Sequence, residues 1–230
     1  MKYLQKWTVC LNMSDQDEQV MKRVASMASL YHPKSLHMVH VMEAAELPEL
    51  VLNDYPNLHQ PEKEFYYNRM EEIRKKYIPS IENVVVKVLE GKKLPSILEA
   101  LVDQESDLVV LGRGRTRGSI MRKVVRKSSA SVLIVPKDSP DQLQHSLVST
   151  DFSDHSVRAL QIASSLAKAL DIPNTSVTHV FNDASKYVNN TVETAFEVDQ
   201  MLKERSLIDQ KLMAYSQLRL KNHVQEAQPG

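Results

Sequence analysis

Short apolar runs alternate with helical patterns along the first part of the 230-residue sequence. The runs have the length and composition of strands that are buried on both faces, and the segments between them place apolar side chains at helical spacing. The order βαβαβαβαβ requires right-handed crossovers and a parallel sheet with helices on both faces. The sequence therefore predicts a doubly wound α/β domain. Its five strands are expected at 7–13, 36–42, 84–89, 107–112 and 131–136.

A polar segment at 138–145 ends this first domain. It carries Pro140 and shows no apolar period, which is typical of a linker. The strand and helix pattern then begins again. We therefore expect a complete domain at 1–137, a linker at 138–145 and a partial second domain at 146–230.

The second domain repeats the beginning of the first at an interval of 139 residues. The interval joins Ser14 to Ser153 and His40 to His179, and the apolar positions around these pairs agree. This pattern indicates an internal duplication. The same interval would place a second glycine loop near position 251, beyond Gly230, so the third, fourth and fifth strands are not expected in the second copy and only β-α-β-α is expected of it. We expect this second half, with its helical tail, to cover an edge or face of the first domain, or of a partner chain, rather than to fold independently.

Composition and charge argue against several classes of protein. Lys plus Arg equals Asp plus Glu at 29 each, so no net charge points to nucleic acid or a membrane surface. No apolar run reaches the roughly 18 residues of a membrane span, and the first residues do not resemble a secretory signal. The single cysteine, Cys10, cannot form an internal disulfide and is expected in the core. A cytoplasmic protein is expected.

Three of the five glycines follow directly after the fourth strand, at Gly112, Gly114 and Gly118. Backbone N–H groups in such a turn can converge on an anion, because glycine permits positive φ and has no side chain to block the approach. A helix predicted to begin at Ser119 adds the attraction of its N-terminus. The junction is therefore a candidate phosphate site, with a solvated basic face as the alternative. Between Gly112 and Lys127 lie seven basic residues and no acidic one: Arg113, Arg115, Arg117, Arg122, Lys123, Arg126 and Lys127.

Several segments resemble the universal stress protein family in its tandem form. They are LVSTDFSDHSVRAL at 147–160, the His-Val pairs at 40–41 and 179–180, the segment 90–112, and the run from Gly118-Ser119 to VLIVP. The resemblance covers residues 6–137 and the opening of the second copy. It implies an adenine-nucleotide alpha-hydrolase-like fold with a five-stranded parallel sheet in the order 3-2-1-4-5. It also implies a homodimer that pairs through the edge strand Ser131 to Pro136.

The resemblance implies an ATP site with three contact regions. These are an Asp ending the first strand, a residue ending the second, and a glycine loop of the form G-x2-G-x9-G-[ST]. Asn12 stands at the Asp position and cannot offer a carboxylate, while the loop is shortened to G-x-G-x3-G-S. The Asp is present in the second copy as Asp151, without a matching loop. The candidate ligand residues are therefore Asn12, Val41, Gly112, Arg113, Gly114, Arg115, Arg117, Gly118, Ser119 and Ile120, with Asp151 and Val180 in the second copy.

Two functions follow as expectations. The first is a stress-response protein that binds ATP, a related adenine nucleotide or another phosphate-bearing ligand without fast catalysis. The alternative is a dimeric interaction or scaffold protein that binds no nucleotide. A slow ATPase stays open, although no general base is evident beside the loop.

Other chemistries find little support in the sequence. No metal site is expected, because His37 and His40 lie three apart on a strand and point to opposite faces. Ser119 is not part of a G-x-S-x-G elbow, which argues against a hydrolase. Nucleic acid is not expected as a partner, because no aromatic residue is interleaved with the basic run.

Overall fold

The computed structural model describes four stretches of the chain and two isolated helical positions. The stretches are residues 4–43, 62–113, 119–180 and 195–226, and the isolated positions are Val51 and Asp54. The chain divides into two compact units, Met1–Asp141 and Gln142–Gly230.

The first unit contains a five-stranded sheet in the order β3-β2-β1-β4-β5. Every neighbouring pair of strands is parallel, which confirms the predicted fold class and strand order. The topological switch point of the sheet lies between β1 and β4, because β2 and β3 lie on one side of β1 and β4 and β5 lie on the other. The elements are β1 (Lys6–Leu11), α1 (Asp17–Tyr31), β2 (Ser35–Met42), α2 (Lys63–Tyr77), β3 (Val84–Glu90), α3 (Lys93–Asp103), β4 (Leu108–Arg113), α4 (Ser119–Lys127) and β5 (Ser131–Pro136).

The central strands are buried on both faces, as their apolar sequence predicts. Cys10 of β1 belongs to a core cluster with Val109 of β4 and with Leu101 and Val124 of the covering helices. Burial raises the pKa of the Cys10 thiol to about 12, so this cysteine is an inert core residue. Each such side chain removed from water contributes roughly 1.5–3 kcal/mol to stability.

Strand β1 ends earlier than its apolar pattern predicts. The sequence indicates a strand to Met13, whereas β1 ends at Leu11 and Met13 takes a left-handed conformation with φ of 57°. The buried carboxylate of Asp17 accepts the backbone N–H groups of Asn12 and Ser14, both at 3.1 Å. These two bonds turn the backbone away from the sheet, and a strand pattern alone does not reveal them.

The second unit contains two strands and two helices among its described residues. They are β6 (His145–Ser149), α5 (Asp154–Ala169), β7 (Asn174–Thr178) and α6 (Ala195–Glu226). Strand β6 begins at His145, which the sequence assigned to the linker. None of the helices in the described stretches is both long and apolar enough to cross a membrane.

The two-stranded sheet of the second unit has the register of the first sheet's central pair. Lys6 lies opposite Ser35 in the pairing of β1 with β2. His145 lies opposite Asn174 in the parallel pairing of β6 with β7. The two registers are related by the interval of 139 residues seen in the sequence.

Two left-handed residues recur at the same interval. Met13 and Phe152 follow the first strand of each unit, with φ of 57° and 65°. His32 and Asp171 follow the first helix of each unit, with φ of 47° and 51°. Such conformations are uncommon for residues other than glycine, so both turns are built in the same way in the two units.

Candidate functional site

The carboxyl ends of β1 and β4 meet at the switch point. Asn12 directly follows β1 and is exposed, while Gly112 and Arg113 end the neighbouring strand β4. Open α/β sheets bind ligands in the crevice at this position. The structure therefore brings three of the predicted site residues to one edge of the sheet.

Gly112 packs against the beginning of helix α1. A Cβ atom placed on it would lie 2.7 Å from Nε2 of Gln16 and 3.0 Å from Cγ2 of Val20. Gln16 is only 6% exposed, and within the described residues its Nε2 atom has no hydrogen-bond partner. The absence of a side chain on Gly112 thus allows the beginning of α1 to approach β4, and no sequence pattern predicts this role of Gln16.

Asp17 places a buried carboxylate beside the loop that follows β1. Burial raises the pKa of its carboxyl, and the N–H groups of Asn12 and Ser14 oppose that rise. The run SDQDE is polar throughout, and its pattern does not indicate a buried residue. The structure instead makes Asp17 the fixed acceptor that shapes the loop.

The side chain of Val41 belongs to the hydrophobic core. It is 6% exposed and packs in the same cluster as Val39 and Val109. Its backbone pairs with Leu89 of β3. The second-strand position thus supplies a core side chain, and a ligand contact at Val41 stays a prediction.

The glycine loop lies largely outside the described residues. This applies to Gly114, Arg115, Arg117 and Gly118 among the predicted site residues. Helix α4 begins at Ser119 as the sequence predicts. Ile120 is half-buried and packs against the core.

Helix α4 carries a basic face. Val124 is fully buried, while the basic residues beside it are exposed, and no acidic residue lies in the first turn. The exposed side chain of Arg113 stands at the end of β4, before the loop. The side chains that make this face positive are Arg122, Lys123, Arg126 and Lys127.

The two ligand contacts predicted for the second copy, Asp151 and Val180, lie in different environments. Asp151 accepts hydrogen bonds from the backbone N and the Oγ of Ser153, at 3.0 and 2.6 Å. These bonds hold the pKa of the Asp151 carboxyl down at about 2. Val180 follows β7 and is 89% exposed. Asp151 therefore serves the turn before α5, where Ser153 is the N-cap.

Helix α6 contacts the loop that follows β6 and the beginning of α5 in its own unit. The guanidinium of Arg219 lies 4.3 Å from the ring centroid of Phe152, and the ring of His179 lies 4.2 Å from that centroid. His223 is 5% exposed, and its Nε2 is 3.1 Å from Oγ of Ser156. The sequence predicts a helix in this tail but not this docking, because its apolar stripe is imperfect and the contacts are polar and aromatic.

The profile of the universal stress protein family matches residues 4–136. The chain belongs to this family. None of the curated proteins is a significant match to the sequence. Within the described residues, no group of three or more His, Cys, Asp or Glu side chains could hold a metal ion.

Solved universal stress proteins share the fold at low sequence identity. One from Archaeoglobus fulgidus DSM 4304 is 17% identical with a TM-score of 0.51, covering 80% of this chain and 71% of that one. The UspA protein of Lactobacillus plantarum is 20% identical with a TM-score of 0.48, covering 59% and 99%. An Archaeoglobus fulgidus member solved in complex with dAMP is 18% identical with a TM-score of 0.42, covering 59% and 99%.

Proposed function

We propose that the first unit binds an adenine nucleotide, or another phosphate-bearing ligand, at the switch point of its sheet. The site consists of Asn12, Gly112, Arg113 and the N-terminus of α4, and we call it the switch-point site. The observation that carries the proposal is that β1 and β4 are adjacent parallel strands, with the exposed side chains of Asn12 and Arg113 at their carboxyl ends.

The electrostatics of the switch-point site favour an anion. A helix N-terminus attracts negative charge, and the first turn of α4 contains no acidic residue that would neutralise its partial positive charge. A guanidinium such as that of Arg113 can hold phosphate through two parallel bonds, each charge-assisted bond contributing about 1.5–3 kcal/mol. The amide of Asn12 can donate to and accept from a base or ribose.

We propose binding without fast turnover. The carboxylate of Asp17 is buried and accepts two backbone N–H groups, and the carboxylate of Asp15 forms an ion pair with Lys137, so neither is free to activate water. An exposed base with a tuned pKa would be needed for hydrolysis. We therefore expect a nucleotide sensor or carrier, with ATP hydrolysis very slow or undetectable.

Isothermal calorimetry with ATP and with dAMP tests the proposal. We expect saturable binding, loss of binding in Gly118→Val, and affinity lowered about tenfold in Arg113→Gln, which corresponds to about 1.4 kcal/mol. Arg126→Gln is the matched control, because Arg126 lies in the last turn of α4, away from the site. No heat of binding at millimolar nucleotide, or equal affinity in all variants, would refute the proposal.

The edge strand β5 favours a second function, pairing with another copy. β5 is bonded to β4 on one side only, and Val132, Leu133 and Ile134 are half-buried. An apolar edge of this kind is a template for strand pairing. We propose a homodimer that pairs through β5. A molecular mass equal to that of one chain, measured by light scattering at high protein concentration, would refute it.

We further propose that the second unit is an incomplete second copy of the first, and that the protein acts in the cytoplasm. The shared register and left-handed turns support the duplication. Cell fractionation tests the location: recovery of the chain with the membrane or outside the cell would contradict it.

A further inference from the structure

A cavity of about 350 Å³ lies beside the end of the first unit, on the outer side of helices α1 and α2. We call it the linker cavity. It is separate from the switch-point site, because Lys22 and Arg23 lie about 10 Å along α1 from Gln16 at a rise of about 1.5 Å per residue. Its polar lining includes Gln19, Lys22, Arg23, Lys76, Tyr77 and Asp141.

Arg23 is the central feature of the linker cavity, because it is a buried cation. The residue is only 8% exposed. Its guanidinium donates to the carbonyl oxygen of Pro140 at 2.5 Å, to that of Asp141 at 3.5 Å and to Oγ of Ser139 at 3.4 Å. All three acceptors are neutral, and no carboxylate of the described residues forms an ion pair with it. Buried charges in proteins are ordinarily paired with an opposite charge, so this environment lacks a counter-ion.

Two further cations line the same cavity. Nζ of Lys22 lies 3.4 Å from a carboxylate oxygen of Glu18, and this pair is exposed. Lys76 lies on α2, and both lysines lower the pKa of the Glu18 carboxyl. Glu18 itself does not line the cavity. The lining therefore holds three cations and one carboxylate, that of Asp141.

We propose that the linker cavity binds a phosphate dianion, free or as the monoester of a small molecule. The guanidinium of Arg23 offers planar donors that match phosphate oxygens, and the flexible side chains of Lys22 and Lys76 supply the second charge. The bound anion neutralises Arg23 while that residue holds the carbonyls of Pro140 and Asp141. Phosphate binding thereby fastens the last residues of the first unit to α1.

Nuclear magnetic resonance with inorganic phosphate at constant ionic strength tests this proposal. We expect saturable shifts of the Arg23 Nε–H signal and of the backbone amides of Ser139 and Asp141. The double variant Lys22→Gln/Lys76→Gln changes only exposed side chains and is expected to weaken phosphate binding at least tenfold. Lys75→Gln is the matched control, because Lys75 is exposed on the same helix and does not line the cavity.

A variant that is expected to strengthen phosphate binding provides a second test. Glu18→Gln removes the carboxylate that competes for Lys22, so it is expected to strengthen phosphate binding. Saturable shifts that are equally strong in the double lysine variant, or no shift at Arg23, overturn the proposal. ATP affinity at the switch-point site is expected to stay unchanged in these variants, so failure of one site is distinguishable from failure of the other. Phosphate shifts confined to residues 112–113 and 119–120 assign the anion to the switch-point site and also overturn the proposal.

Discussion

Nδ1 of His179 lies 2.8 Å from the carbonyl oxygen of Thr150, and the same bond recurs in the first unit. There, Nδ1 of His40 lies 2.9 Å from the carbonyl oxygen of Leu11. In each unit the imidazole near the end of the second strand satisfies the carbonyl that ends or follows the first strand. One side-chain bond therefore ties the two strand ends at the carboxyl edge of each sheet.

Removal of this bond in the first unit should cost stability. In His40→Phe the carbonyl of Leu11 loses its imidazole donor in a buried place, and we expect a loss of about 1–3 kcal/mol in the free energy of unfolding. His37→Phe on the same strand is the control, because the buried Nδ1 of His37 has no partner within the described residues. Urea denaturation measures both, and equal losses would show that the Leu11 bond is unimportant.

Gln16 should be a stability liability in the free protein. Its buried Nε2 carries a desolvation cost that no hydrogen bond in the described residues offsets, so Gln16→Leu is expected to raise the unfolding temperature. Gln19 is the matched control on the same helix, because its Nε2 donates to the carbonyl of Ser139. Gln19→Leu is expected to lower the unfolding temperature. Thermal unfolding followed by circular dichroism measures both unfolding temperatures. A lower unfolding temperature in Gln16→Leu would contradict a destabilising role of Gln16.

Gly112 and Gln16 should be energetically coupled. Gly112→Ala inserts a methyl group 2.7 Å from Nε2 of Gln16, and overpacking of this kind costs about 1–3 kcal/mol. In the Gln16→Ala background much of that cost should disappear, leaving the contact with Val20. A double-mutant cycle of unfolding free energies measures the coupling, and strictly additive effects would argue against the packing described.

Asp17 should make stability depend on pH in an unusual direction for an acidic residue. Burial raises the folded-state pKa of its carboxyl above the ordinary value of 3.8, so the folded protein binds this proton more tightly than the unfolded chain. Its contribution to stability is full below about pH 3.8 and is lost as the pH rises through the folded pKa. Asp17→Asn should remove this component. The free energy of unfolding of the wild-type protein and of Asp17→Asn is measured from pH 4 to 7. The same pH dependence in both proteins would contradict the raised pKa of the Asp17 carboxyl.

The fold of the first unit follows closely from its sequence because each strand is a short, mainly apolar run and helical patterns separate the runs. Hydrogen bonds to side chains determine local details, such as the end of β1, that the apolar pattern does not predict. Met13 continues the apolar run in the sequence, yet Asp17 draws the neighbouring N–H groups out of the sheet. A pattern of apolar residues does not reveal a buried carboxylate that accepts N–H groups three and five residues before it.

The candidate site was only partly predictable for a similar reason. Asn12 and Gly112 could be placed together because the carboxyl ends of neighbouring parallel strands share an edge. The burial of Gln16 against Gly112 could not, since a glutamine in a polar run ordinarily faces solvent. The contact between His223 and Ser156 joins residues far apart in sequence, and no spacing pattern connects them.

A crystal structure of the protein grown with ATP shows whether a nucleotide binds at the switch-point site. We expect the nucleotide at the carboxyl edge between β1 and β4, with phosphate oxygens at the N-terminus of α4 and beside Arg113 and with Asn12 facing the base or ribose. Density for the nucleotide elsewhere, or an edge left empty at millimolar ATP, would contradict it.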